Sequence, residues 1–253
     1  MRISKTTRKA ETDEPDPPAG FTLAPRRIAL VAADARPAAG YAPFLAEIAA
    51  AADAQGCDSI VYALAPDGMS PATRSQLFGQ SRAVETIFVE VLYPGHDAVI
   101  EVWRKAAPTP HRFRQRLVGS QDRVACKHAL IEGLPARSFG STMFLACGEA
   151  NIISTQRGST ATVDEFGFMN HLSERRLILN PLHTYMVRHE MKEKRRRYSE
   201  GGRVVLSVWN PGYQLHESDV PWQAFDDGRE ITERISRVAL AQRSIHLGVF
   251  ELA

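Results

Sequence analysis

The chain is poor in the features that usually assign a protein quickly. It has three cysteines, Cys57, Cys126 and Cys147, in 253 residues. Three thiols make no disulfide framework, and an odd count leaves one free. A reducing, cytoplasmic compartment is the natural expectation. The formal net charge is only +2, so the total implies no field that would draw nucleic acid or a membrane surface. No apolar run is long enough to span a bilayer. Residues 1–9 are basic but lack an apolar h-region, so no secretory signal is expected. Walker and Rossmann phosphate loops are absent. The eight histidines show no metal-ligand spacing. No cofactor, no metal, no membrane and no nucleic-acid partner are therefore expected. There is no internal repeat.

What is present is an interleaved α/β pattern, 44% hydrophobic and 24% charged, ample for a sizeable core. Residues 1–26 are polar and Pro-rich, with Glu14-Pro15-Asp16-Pro17-Pro18, and read as a disordered tail. Residues 27–253 read as one layered domain. Ile28 to Ala33 and Asp58 to Leu64 are strands flanking a helix over 42–54, which Gly56 ends. Residues 85–92 and 98–105 read as strands that pair as a hairpin around Tyr93-Pro94-Gly95-His96-Asp97. A helix is predicted up to Leu134. Leu177-Ile178-Leu179-Asn180 is a short buried strand ending at Pro181. A helix over 185–199 and a strand over 203–209 follow, and residues 221–225 and 245–252 close the pattern.

The most informative stretch is 141–151. Met143-Phe144-Leu145-Ala146 reads as a strand buried on both faces. It delivers Cys147 to the carboxyl end of that strand, where α/β sheets place their chemistry. Gly148 permits a sharp turn, and Glu149 follows. The bland alternative is a cysteine packed as a small hydrophobe.

Taken together, these segments resemble the nitrilase, or carbon–nitrogen hydrolase, superfamily. Ile28-Ala29-Leu30-Val31, a helix, and Gly56-Cys57-Asp58-Ser59-Ile60-Val61-Tyr62 resemble its opening units. Val102-Trp103-Arg104-Lys105 resembles the strand that delivers a lysine, and Leu145-Ala146-Cys147-Gly148-Glu149 the nucleophile strand. Leu177 to Pro181, Val204 to Asn210 and Phe225-Asp226-Asp227-Gly228 resemble its later elements. The likeness spans most of 27–252. It implies an αββα sandwich that often dimerises into four-layer pairs. It also implies a Cys–Glu–Lys hydrolase of a small amide or nitrile, acting on a non-peptide C–N bond.

Under that resemblance Cys147 is the nucleophile and Lys105 the lysine, with Lys127 as its rival in a predicted helix. Glu132 resembles a second glutamate that positions substrate. Glu149 either serves near the thiol or caps the turn. Asn151, His183, Thr184 and Asn210, at strand and turn ends, are candidate substrate contacts. The general-base glutamate is missing: the alignment puts Leu64 in its place, with Asp67 three residues on. A catalytically silent binding or scaffolding protein is therefore the alternative function. The run Lys192-Glu193-Lys194-Arg195-Arg196-Arg197 reads as a solvated face or dimer rim rather than a nucleic-acid patch.

Overall fold

In the structure, a computed structural model, residues 17–18, 21–34, 44–64, 71–92, 98–117, 124–155, 159–183, 189–212 and 219–253 are described. Chain order is β1 (Arg27–Ala33), α1 (Leu45–Ala54), β2 (Ser59–Tyr62), α2 (Pro71–Gln80), β3 (Thr86–Leu92), β4 (Ala98–Arg104) and β5 (His111–Arg114). Then come α3 (Val124–Glu132), β6 (Ser138–Phe139), β7 (Thr142–Phe144), β8 (Ser154–Thr155), β9 (Thr162–Val163) and β10 (Leu177–Leu182). The chain closes with α4 (His189–Ser199), β11 (Val204–Trp209), β12 (Trp222–Asp226), β13 (Arg229–Glu230), β14 (Ser236–Val238) and β15 (Ile245–Glu251).

Two mixed sheets form, in the orders β14-β15-β1-β2-β3-β4-β5 and β13-β12-β11-β10-β7-β6. Alternation along each strand sorts side chains to two faces. In β1, Ile28, Leu30 and Ala32 enter one cluster, together with Phe88, Phe144, Leu179, Leu206 and Trp222 from both sheets. Ala29 and Val31 enter a second, with Ile48 and Ala52 of α1 and Leu77 and Phe78 of α2. Met143, Ile178 and Val205 enter a third, with Leu130 of α3 and Met191 and Tyr198 of α4. The layers are therefore helix, sheet, sheet, helix: the αββα sandwich expected.

Several boundaries differ from the sequence reading. Phe21 and Leu23 are buried, Phe21 packs 5.1 Å from Phe139 between ring centroids, and the Leu23 amide donates to the Phe139 carbonyl. The ordered chain thus begins before residue 27, because the sandwich edge needs these two side chains. Residues 1–16, most of the expected tail, lie outside the described residues. β5 was not expected from its Arg- and His-rich sequence; it forms because Phe113 faces the inter-sheet core while Arg112 faces out. β10 runs through Pro181, which is tolerated because β7 has already stopped at Phe144, opposite Leu179, leaving that side of the strand unpaired.

Candidate active site

The carboxyl ends of β1, β2, β10 and β11 meet at one end of the sandwich, where the two sheets are hydrogen-bonded to each other. The Leu64 amide donates to the Leu182 carbonyl at 3.1 Å. Asn210 Oδ1 accepts from the Ala33 amide at 3.0 Å, and its Nδ2 donates to the Leu64 carbonyl at 3.4 Å. Asn210 is thus engaged by backbone from the opposite sheet. Leu64 is buried in the inter-sheet cluster, against which Cys147 packs.

Cys147 opens a short 3-10 turn, Cys147–Ile152, directly after β7. Two buried side chains hold the approach. Asn180 Nδ2 donates to the Leu145 carbonyl at 2.9 Å, and Ser207 Oγ donates to Asn180 Oδ1 at 3.2 Å. Glu149 holds the turn itself. Its carboxylate accepts from the Ala146 amide and the Arg116 amide, each at 2.8 Å. It also pairs with Arg137, both side chains being 0% exposed. Arg137 in turn donates to the Arg114 carbonyl at 2.8 Å. Glu149 is therefore a clamp on the Cys147 turn, with both carboxylate oxygens occupied.

His183 follows β10 immediately. Its Nε2 lies 2.7 and 3.0 Å from the two carboxylate oxygens of Glu90, and Cys147 is near enough to the ring to influence its pKa. Glu90 sits in β3, on the opposite sheet, with its side chain 1% exposed against 23% for His183. Burial alone would lower the His183 pKa. The interactions with Cys147 and Glu90 outweigh it, raising the value to about 9. His183 and Glu90 therefore bridge the inter-sheet gap, with Cys147 near the ring.

A second cation lies close by. Arg195 of α4 is 0% exposed, and desolvation lowers its pKa to about 10 against the opposing charges of Cys147 and Glu230. Its Nη1 donates to Gln223 Oε1 at 2.7 Å.

The expected lysines are elsewhere. Lys105 Nζ donates to the Ser81 carbonyl at 2.8 Å, beside Arg82 and Glu85. The reason is strand direction. β4 runs antiparallel to β3, pairing Arg104 with Thr86 and Ala98 with Leu92. Its carboxyl end therefore lies at the amino ends of the parallel strands, the far end from Cys147. β5 returns, pairing Arg114 with Val99, so the buried Gln115 is the next polar side chain delivered to the Cys147 end. Lys127 is buried in α3, with its amino group 5.1 Å over the Phe166 ring. Glu132 is exposed at the end of α3. Asn151 accepts from Lys194 Nζ at 2.6 Å. Thr184 and Asp67 lie outside the described residues. Glu90 was missed by the sequence reading, although a lone carboxylate in Thr-Ile-Phe-Val-Glu-Val-Leu, in phase with core-facing Phe88, is a signal that a buried partner is needed.

Two general features follow. Among the described residues no group of three or more His, Cys, Asp or Glu is arranged to hold a metal. No described helix is long and apolar enough to cross a membrane.

Comparison of the sequence with protein-family models and with curated proteins finds no match. Solved structures do match. A cysteine-to-alanine variant of the amidase from Nesterenkonia sp. AN1, in complex with butyramide, superposes with a TM-score of 0.52 at 13% identity, covering 94% of this chain and 93% of that one. A cysteine-to-serine variant of that amidase, which is from the nitrilase superfamily, gives 0.51 at 15% identity, covering 90% and 92%. A glutamate-to-leucine variant, with the acetamide moiety of fluoroacetamide added covalently at the active-site cysteine, gives 0.50 at 16% identity, covering 94% and 92%. The chain has the nitrilase fold.

Proposed function

We propose that this protein is a thiol hydrolase of small amides, in which Cys147 is the nucleophile and His183, oriented by Glu90, replaces the carboxylate base absent at Leu64. The observation that carries the reading is the His183–Glu90 pair beside Cys147. With the His183 pKa near 9, the ring is protonated at neutral pH and holds a proton for the leaving group. The thiolate attacks the amide carbon, and the carbonyl π electrons move onto oxygen. We assign the first backbone amides of the Cys147–Ile152 turn as the donors to that oxygen. As the tetrahedral adduct collapses, the imidazolium gives its proton to the departing nitrogen. Ammonia or an amine leaves, and an acyl thioester remains. Neutral His183 then takes a proton from water, which adds to the thioester carbon. Release of the acid restores the thiolate and the imidazolium. Glu90 holds the ring in place throughout.

Leu64 does not argue against a reactive thiol. In the Nesterenkonia amidase a leucine variant still took the acetamide moiety of fluoroacetamide at its cysteine, and Cys147 is expected to be alkylated likewise. Cys57 is the internal control, since burial raises its pKa to about 12. Limiting fluoroacetamide or iodoacetamide followed by peptide mapping should label Cys147 first; preferential labelling of Cys57 or Cys126 would sink the assignment. Labelling of Cys147 without turnover on any amide would instead favour a silent binding protein, the reading that Leu64 supports.

A further inference from the structure

At the end of the sandwich away from Cys147, the gap between the sheets opens into a cavity of about 280 Å³. Pockets for drug-sized ligands run to roughly 300–1,000 Å³, so an occupant here is small. The floor is a cross-strand row. Ser59 of β2 pairs with Thr86 of β3, and Thr86 pairs with Arg104 of β4. Alternation puts the three in phase with Val61, Phe88 and Val102, on the face turned to the other sheet. Thr22 to Pro25 form the wall. That segment is fixed at several points. The Leu23 amide donates to the Phe139 carbonyl, Thr142 Oγ1 donates to the Leu23 carbonyl at 3.1 Å, and the Arg26 amide donates to Asp58 Oδ2 at 2.7 Å. The cavity is therefore built without a ligand.

Two of the lining groups are unanswered. Thr86 is 4% exposed, and its hydroxyl makes no hydrogen bond among the described residues. The Arg104 guanidinium stacks over the Phe21 ring, 4.7 Å from its centroid, and its N–H groups meet no acceptor among the described residues. Stacking fixes the plane of a guanidinium and leaves its edge donors free for a carboxylate. The two carboxylates of the same cavity differ from each other. Asp58 is occupied: Oδ2 accepts from the Arg26 and Arg27 amides, and Oδ1 accepts from Ser59 Oγ at 2.9 Å. Glu85 is not held in this way. Its side chain is 57% exposed, and its contact with Lys105 is 3.8 Å long. The cavity thus presents one open cation, one open anion and a buried hydroxyl.

We propose that this cavity binds a small zwitterion, a free α-amino acid, with its carboxylate on Arg104 and Thr86 and its ammonium on Glu85. A simple anion would face the charges of Asp58 and Glu85, and a simple cation would face Arg104. A neutral polyol would leave both open charges unmatched. A zwitterion answers both. Glu85 directly precedes Thr86, the cross-strand partner of Arg104, so the two charges stand at neighbouring positions. One carbon atom separates the two charged groups of an α-amino acid in the same way. Leu23, Ala24, Pro25 and Ala106 complete the lining, and their apolar surface suits a short aliphatic side chain such as that of alanine. The site lies at the opposite strand ends from Cys147 and does not depend on the amidase reading.

Calorimetry on the full chain tests the site. L-alanine should bind saturably, at least about tenfold tighter than propionate, which lacks the ammonium, or ethylamine, which lacks the carboxylate. Thr86→Val, close in shape, should weaken alanine binding by about threefold or more, and Arg104→Gln by about tenfold or more, since that contact is charge-assisted. Equal affinity for propionate or ethylamine, or no saturation by about 10 mM alanine, would overturn the proposal. Undiminished binding in Thr86→Val and Arg104→Gln would do the same. If Arg104→Gln does not fold, Thr86→Val decides by the same measurement: weakened binding supports the site and unchanged binding defeats it. Cys147→Ala should bind alanine as the wild type does, and a loss there would move the ligand to the other end of the sandwich and sink the assignment. Amide turnover enters none of these measurements, so the hydrolase and this site fail separately.

Discussion

The two ends of the sandwich make an instructive pair. At the Lys105 end the charges are half-exposed and answered by main chain and solvent: Lys105 meets the Ser81 carbonyl, and its contact with Glu85 is 3.8 Å long with 32% and 57% of the side chains exposed. At the Cys147 end, charges are buried and answered by other buried groups. Glu149 is matched to Arg137 and Glu90 to His183, while Arg195 keeps two buried nitrogens without a hydrogen-bond partner. Both ends are rich in polar residues, so composition does not distinguish them. Desolvation does, because an interaction in a dry site is stronger, and a missing partner more costly, than the same arrangement in water.

The comparison is broken most severely at His183. His183→Ala should lower amide turnover by roughly a hundred- to ten-thousand-fold, the usual worth of general acid–base help. Turnover within a few-fold of wild type would show that another group carries the proton. Next in size is Arg137→Met, which strands Glu149 as a buried charge and should cost about 3–5 kcal/mol of stability, read by chemical denaturation. Full stability would mean that the clamp is dispensable.

A smaller effect is expected from pH. The folded-state pKa of His183, about 9, lies above its ordinary 6.5. Its stabilising contribution is therefore complete below about 6.5 and is lost as the pH climbs through about 9. Denaturation midpoints between pH 6 and pH 10 should fall less in Glu90→Gln than in wild type, because that variant removes a cause of the shift; parallel curves would refute the pairing. The smallest effect is at the other end: Lys105→Met should change stability by about 1 kcal/mol or less and leave turnover within twofold. A large loss of turnover would return Lys105 to the reaction.

Much of this was legible beforehand, and the misreading of Lys105 shows where the reading stopped. The β3–β4 hairpin was visible from two apolar runs around Pro94-Gly95. A hairpin reverses direction, so the residue leaving β4 is carried away from the strand ends that hold Cys147. Sequence similarity around Trp103-Arg104-Lys105 carries no direction, and it overrode that geometry. Cys147 was legible because an apolar run stops at it. His183 was legible only as a strand-end residue, since its partner Glu90 is 93 positions away and on the other sheet. Arg195 was hidden by its neighbours. In a run of six charged residues it looked solvated, yet Arg196 pairs with Glu193 and Arg197 with Glu200, while Arg195 alone of the three arginines turns fully inward.

The placement of Glu90 on one sheet, and of Cys147 and His183 on the other, also bears on how the candidate site is assembled. Neither half of the sandwich can assemble the site by itself. A folding intermediate with native strands but separated sheets would have helix and strand signals, the thiol and the imidazole, but not the Glu90 carboxylate that holds the ring. Thiol reactivity during refolding is thus a clock for the docking of the two sheets, one that starts only when the last gap in the molecule closes.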